Sequence, residues 1–187
     1  MIKHNGARFF GGLAALVIFL CFNVAGCGYT SSSLLPSNIK TIFVDNFENK
    51  IDVMREISDT RNSYSYRPGL EIDITRATIN AFIRDRHITI DKRDNSDILL
   101  KGQLVDYKQY PLSYDKQYDI EEFRMEVFVD ITMYDRKTGE VMWSEKRFMG
   151  RTEYTTTGEH SKTESEAAAD AVKDLAQRIV ERTVEHW

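Results

Sequence analysis

Phe123-Arg124-Met125-Glu126-Val127-Phe128-Val129-Asp130-Ile131-Thr132-Met133-Tyr134 decides the fold. The odd-numbered positions are all apolar. The even-numbered ones are mostly charged or polar, with Phe128 and Tyr134 among them. A period of two over this length reads as a strand with one buried and one wet face. Residues 135–139 have turn chemistry, and residues 141–151 return as a second strand, so the two form a hairpin. Upstream, residues 97–107 read as a strand that is apolar at first and half-polar later, completing a three-strand meander.

Helical patterns flank the meander. In residues 70–86, Leu70, Ile74, Ala77 and Ala81, with Ile72, Ile79, Phe82 and Ile83 beside them, give a wide apolar face. Glu71 and Asp73 in the first turn and Arg84 and Arg86 in the last complement the helix dipole. Thr163-Glu164-Ser165-Glu166 matches a capping box and opens a second helix that runs to about Trp187. Its apolar stripe is Ala168, Ala171, Val172, Leu175 and Ile179, with Ala176, Val180 and Val184 alongside. Residues 39–44 and 87–91 read as short strands, and 92–96 as a polar turn. Residues 46–69 form a long polar stretch, of the kind that is functional or mobile in compact domains. The order is strand, helix, strand, meander, helix. The first crossover places strands one and two parallel and leaves the rest antiparallel. The expected fold is α+β, a two-layer sandwich with both helices on one face of a mixed, mainly antiparallel four- to five-stranded sheet.

The N-terminus has a different character. Lys3 and Arg8 precede an apolar run over residues 9–24 that ends in Val24-Ala25-Gly26-Cys27. A basic start, a short apolar core and a small-residue exit read as a secretory signal. The core is short of the roughly 20 residues of a membrane span. The tetrapeptide resembles the lipobox of bacterial lipoproteins, in which the cysteine receives diacylglycerol and, after cleavage, an N-acyl chain. The expected organisation is a signal peptide over 1–26, a lipidated Ser-rich tether over 27–38 and a single domain over 39–187. Each buried methylene contributes about 0.8 kcal/mol, so two or three acyl chains hold the protein firmly to a bilayer. Gly28 follows the cysteine where enterobacterial lipoproteins kept in the inner membrane carry aspartate, which points to the outer membrane.

Cys21 leaves with the signal, so the mature chain holds no cysteine pair. Losing Lys3 and Arg8 takes the formal net charge from −4 to −6. That balance argues against nucleic acid as a partner. His87, His160 and His186 stand at no metal-ligand spacing. There is no zinc pattern, phosphate loop or nucleophile elbow. Asp91-Lys92-Arg93-Asp94 reads as a solvated turn. The sequence therefore reads as a non-enzyme without cofactor, apart from the acyl groups on Cys27.

The ordered series of segments resembles the LptE family of lipopolysaccharide-assembly lipoproteins. It runs through Cys27-Gly28-Tyr29, Leu35-Pro36-Ser37-Asn38-Ile39-Lys40-Thr41-Ile42 and Phe47-Glu48-Asn49. It continues with Ser96-Asp97-Ile98-Leu99-Leu100-Lys101-Gly102, Tyr110-Pro111-Leu112-Ser113-Tyr114 and Thr138-Gly139-Glu140-Val141-Met142-Trp143, and ends with the last helix. The resemblance implies an outer-membrane subunit that plugs the LptD β-barrel, assists its assembly and contacts lipopolysaccharide. An accessory lipoprotein of another outer-membrane complex, such as a pilotin, is the alternative. The resemblance associates lipopolysaccharide binding with basic residues in two loops, 110–122 and 152–162, which the topology puts at one pole. The matching positions are Lys116 and Lys162, with Arg151 at the entrance of the second loop. Tyr110, Tyr114 and Tyr118 lie nearby, and Asp115, Asp119 and Glu159 weaken the local positive potential.

Replacing Cys27 with alanine should leave unprocessed or unanchored protein. Mass spectrometry of the mature N-terminus checks this, and an unmodified Cys27 or cleavage elsewhere contradicts the anchor.

Overall fold

The alternating segment is the spine of the sheet. In a computed structural model, which describes residues 36, 38–51 and 67–185, it lies within β5 (Ile120–Asp135). Met125, Val127, Val129, Ile131 and Met133 are all fully buried. β5 pairs antiparallel with β4 (Ile98–Tyr114) on one side and β6 (Val141–Thr155) on the other. The remaining strands are β1 (Thr41–Val44), β2 (Glu48–Asn49) and β3 (Thr89–Ile90). The helices among the described residues are α1 (Leu70–Asp85) and α2 (Glu164–Glu185). Both cover the face that holds the odd-numbered β5 residues, α2 over β5 and β6 and α1 beside it. The α+β sandwich is as expected, with six strands in place of four or five.

The sheet order is β3-β1-β4-β5-β6, with β2 continuing the line of β1 along β4. The first crossover is parallel, as expected: Thr41 pairs Thr89 and Ile42 pairs Ile90. The expectation that every other pairing is antiparallel is corrected, because β1 also pairs parallel with β4 (Ile42 with Ile98, Val44 with Leu100). The chain after β3 folds back, so that Asp91 N–H meets Ile42 O and Asp97 N–H meets Thr41 O. β4 thus starts at the same end as β1. Asp97 holds this junction. Its Oδ2 accepts from Lys40 N–H at 3.0 Å, Thr41 N–H at 3.1 Å and Thr41 Oγ1 at 3.0 Å. The backbone bond from Lys40 is the main cause that lowers the carboxyl pKa below its ordinary value; partial burial opposes it. A depressed carboxylate stabilises the fold at neutral pH, and that contribution is lost as pH falls through the folded-state value.

The helix ends obey local chemistry. At α2, Thr163 Oγ1 accepts from Glu166 N–H at 3.2 Å while Glu166 Oε2 accepts from Thr163 N–H at 2.8 Å, which is the expected capping box. α1 starts after Gly69 at φ 88° and stops at Arg86, φ 68°, whose N–H donates to Phe82 O. Two residues of its expected apolar face, Ile72 and Ile83, are exposed, because α2 and the sheet leave the outer side of α1 uncovered.

Two glycines set the interlayer distance. A Cβ on Gly150 of β6 would lie 2.4 Å from Leu175 Cβ and 2.5 Å from both Ala171 O and Leu175 N of α2. A Cβ on Gly102 of β4 would enter the Phe47 ring at 2.0 Å.

The free edge of β6 is interrupted twice. Arg147 adopts φ 50° in a bulge and donates its N–H to Asp130 Oδ1 at 2.8 Å. Four residues on, Arg151 N–H donates to Asp174 Oδ2 of α2 at 2.9 Å, and the same oxygen accepts from Arg178 Nε at 2.8 Å.

The register gives a direct test. Ile131 is fully buried, whereas the neighbouring Thr132 bonds Ser144 Oγ at 2.9 Å on the other face of the sheet. Ile131→Ala should cost about 2–5 kcal/mol, read as a clear drop in melting temperature. Thr132→Ala should cost well under half of that, and equal effects contradict the register.

Candidate functional site

The three long strands outrun the helices. Tyr107 and Met125 are the last buried β4 and β5 residues toward the hairpin end. Tyr107 Oη donates to Met125 Sδ at 3.2 Å and to Glu164 Oε1, at the start of α2, at 3.4 Å. Burial pushes its phenol pKa upward, with the Glu164 charge adding to the shift. Tyr154 of β6 is shifted upward by the same causes in the same order. Gln109 Nε2 donates to Tyr154 Oη. Phe123 stacks on Tyr154 with ring centroids 5.7 Å apart. Past this lid on the core, β4 continues seven residues to Tyr114, beyond the buried part of the strand, roughly 23 Å at the usual rise.

The hairpin end is built from short-range bonds. Asp115 Oδ1 accepts from Gln117 N–H at 2.8 Å and Asp119 N–H at 2.9 Å. Asp115 N–H donates to Asp119 O at 2.8 Å, and Tyr118 is held at φ 67°. The following loop leaves from the flank of the hairpin, where Thr156 N–H donates to Glu121 O at 3.0 Å. The two loops therefore do share one pole, but both are shorter than the sequence implied. Residues 110–114, 120–122 and 152–155 are strand.

This relocates the three basic positions. Lys116 lies exposed in the turn between β4 and β5. Lys162 closes the second loop, with N–H donating to Thr155 O at 2.9 Å, and its Nζ meets Asp170 Oδ2 at 2.6 Å. Arg151 does not stand at a loop entrance. It lies four residues inside β6, opposite Glu126, roughly 13 Å below the loop. The structure brings Lys116 and Lys162 to one pole and leaves Arg151 outside. Cys27 lies outside the described residues.

Sequence reasoning passed over two features. Leu112 and Ile120 are exposed on the hairpin beside Tyr114 and Tyr118. The run Tyr110-Pro111-Leu112 already carried that signal inside an expected loop. The second feature is the sheet face away from the helices, where cations sit over rings. The Arg147 guanidinium lies 4.4 Å from the Phe128 centroid, with Lys108 Nζ at 6.0 Å. Asp106 Oδ2 accepts from Arg147 at 2.9 Å and pairs with Lys108 at 3.2 Å. Lys101 covers Tyr134, and Arg93 covers Phe43. Among the described residues no His, Cys, Asp and Glu cluster is placed to hold a metal ion. No described helix is long and apolar enough to cross a membrane.

Solved structures resemble this chain to different degrees. Protein XCC0632 from Xanthomonas campestris is 12% identical, covers 81% of this chain and 87% of its own, and superposes with a TM-score of 0.52. PelC from Paraburkholderia phytofirmans, a dodecamer, is 15% identical over 83% of this chain and 96% of its own, with a TM-score of 0.48. A minor lipoprotein from Acinetobacter baumannii is 12% identical over 76% of this chain and 91% of its own, at 0.44. At 12% identity the likeness to XCC0632 concerns the fold alone. No curated sequence matches the chain. The LptE family, described as lipopolysaccharide-assembly, matches residues 39–183, which takes in all six strands and nearly all of both helices. By that match the chain belongs to the LptE family.

Proposed function

We propose that this protein is the lipid-anchored outer-membrane subunit that plugs an LptD-type β-barrel, assists its assembly and contacts lipopolysaccharide on its way to the outer leaflet. The family match over residues 39–183 carries the reading. The lipobox-like end at Cys27 supplies the anchor. The role is one of assembly and binding, with no reaction catalysed. The chain joins the fold at Ile39, the end of the sheet opposite the β4–β5 turn. A tether over 28–38 spans at most about 40 Å when extended. It gives the domain room to enter a barrel while its lipid stays in the inner leaflet of the outer membrane. On this reading Lys116 and Lys162 face the phosphates of the lipopolysaccharide head group, where charge-assisted bonds are strong. Arg151 adds charge lower on β6. The four carboxylates next to Lys116 in sequence, Asp115, Asp119, Glu121 and Glu122, reduce the attraction.

The anchored chain should copurify with a barrel of LptD type in equal amounts. Recovery with a secretin, or with no outer-membrane protein, overturns the proposal. The lipopolysaccharide contact is tested separately on the purified lipoprotein at two salt concentrations. Lys116→Glu with Lys162→Glu should weaken binding sharply while circular dichroism stays unchanged. Arg136→Glu with Lys137→Glu, in the β5–β6 turn at the other pole, should be nearly silent. Equal behaviour of the two pairs places the contact elsewhere.

A further inference from the structure

Lys116 and Lys162 share a pole but differ in freedom. Lys116 has no ion pair among the described residues. Lys162 is tied twice. Its N–H donates to Thr155 O at 2.9 Å, which fixes its backbone, and its Nζ lies 2.6 Å from Asp170 Oδ2. α2 begins at this pole, where Glu164 meets Tyr107, and runs away from it. Asp170 stands six residues past Glu164, about 9 Å further along the helix axis at the usual rise. The pair therefore draws the ammonium back along α2, away from the turn that carries Lys116.

No other carboxylate of the helix start is bonded to that ammonium among the described residues. Glu166 Oε2 is taken up in the capping box, where it accepts from Thr163 N–H at 2.8 Å and Thr163 Oγ1 at 2.9 Å. Asp170 alone stands where an arriving phosphate has to bind. The pair is also built to open. Its side chains are 44% and 41% exposed, and ion pairs so open to water hold weakly. The lysine stem is flexible, so its ammonium can leave Asp170 while the backbone stays bonded to Thr155.

We infer that Asp170 is a built-in competitor for the phosphate. It holds the Lys162 ammonium while the contact is empty, yields it to the head group, and takes it back as the ligand leaves. This rests on the lipopolysaccharide contact proposed above and gives it a release step. Asp170 is a positioning residue in that step, because it touches Lys162 and not the ligand. The chemistry suits a subunit that passes its ligand on. A bound phosphate leaves more easily when a carboxylate waits to replace it, because the ammonium exchanges one partner for another without standing bare.

The test follows dissociation of the purified lipoprotein from immobilised lipopolysaccharide at two salt concentrations. Asp170→Asn keeps the side-chain shape and removes the charge. It should slow dissociation and tighten binding by roughly two- to fivefold, the range of an exposed ion pair. The gain should shrink at the higher salt, and the melting temperature should stay unchanged. Losing a carboxylate also eases the general repulsion of an anionic ligand, so the same substitution is repeated in a Lys162→Gln chain. There the gain should vanish. A gain that persists in that chain reports general repulsion and overturns the inference. Dissociation that is unchanged or faster after Asp170→Asn alone overturns it as well, and leaves the proposed contact standing where Lys162→Gln weakens binding. If Lys162→Gln alone changes nothing, the contact at Lys162 and this inference fall together.

Discussion

Gly150 of β6 sits against the backbone of α2, and the packing of the helix layer depends on that contact. With a hydrogen in place of Cβ, Ala171 O and Leu175 N come to 2.5 Å from where that atom would sit. α2 can then add Ala168, Ala171, Leu175 and Ile179 to the core that holds Met125, Val127 and Val129, and all seven are buried. A helix held further out would leave a gap along that whole seam, and interiors do not tolerate gaps of even a methylene without cost. α1 is placed in turn by α2, because the two pack side by side and begin at the same end, where Arg67 Nη1 donates to Ser165 O at 3.2 Å. Gly102 repeats the device on the other half of the sheet, where the Phe47 ring takes the space a Cβ would fill.

The second face of the sheet solves a different problem. Six strands offer two sides, and the helices cover one. The uncovered side still carries Phe43, Phe128 and Tyr134, and each ring lies beneath a cation from a neighbouring strand or turn. An arginine or lysine over a ring keeps apolar area from water while presenting charge outward. Arg147 is the most committed of these. Its left-handed backbone is compensated by Asp130, and its guanidinium is fixed by Asp106.

Much of the architecture was legible because it is local. The alternation over Phe123–Tyr134, the Thr163–Glu166 box and the charges at the ends of α1 each depend on residues a few positions apart. The place of β1 was not legible. A four-residue apolar strand reads the same at an edge as in the interior, and only the fold-back of residues 91–97 seats it between β3 and β4. Strand length at the hairpin end was missed because residues 108–114 alternate weakly and none of them is buried. The same lack of burial explains the candidate site. Arg151 was displaced from the loop because β6 runs on to Thr155. The tie between Lys162 and Asp170 crosses a loop-helix junction that no sequence pattern encodes. The apolar character of Leu112 and Ile120 was visible, but exposure is a property of the third dimension.

β6 is the last strand of the sheet, and a last strand ordinarily offers its spare amides to any passing chain. Here the carboxylate of Asp174 occupies one of them, and it acts like a quencher in a chain-growth reaction: it accepts the hydrogen but has no amide of its own to hand on. The bulge at Arg147 twists the rest of the edge out of line. Sheet growth is thus terminated chemically on that flank.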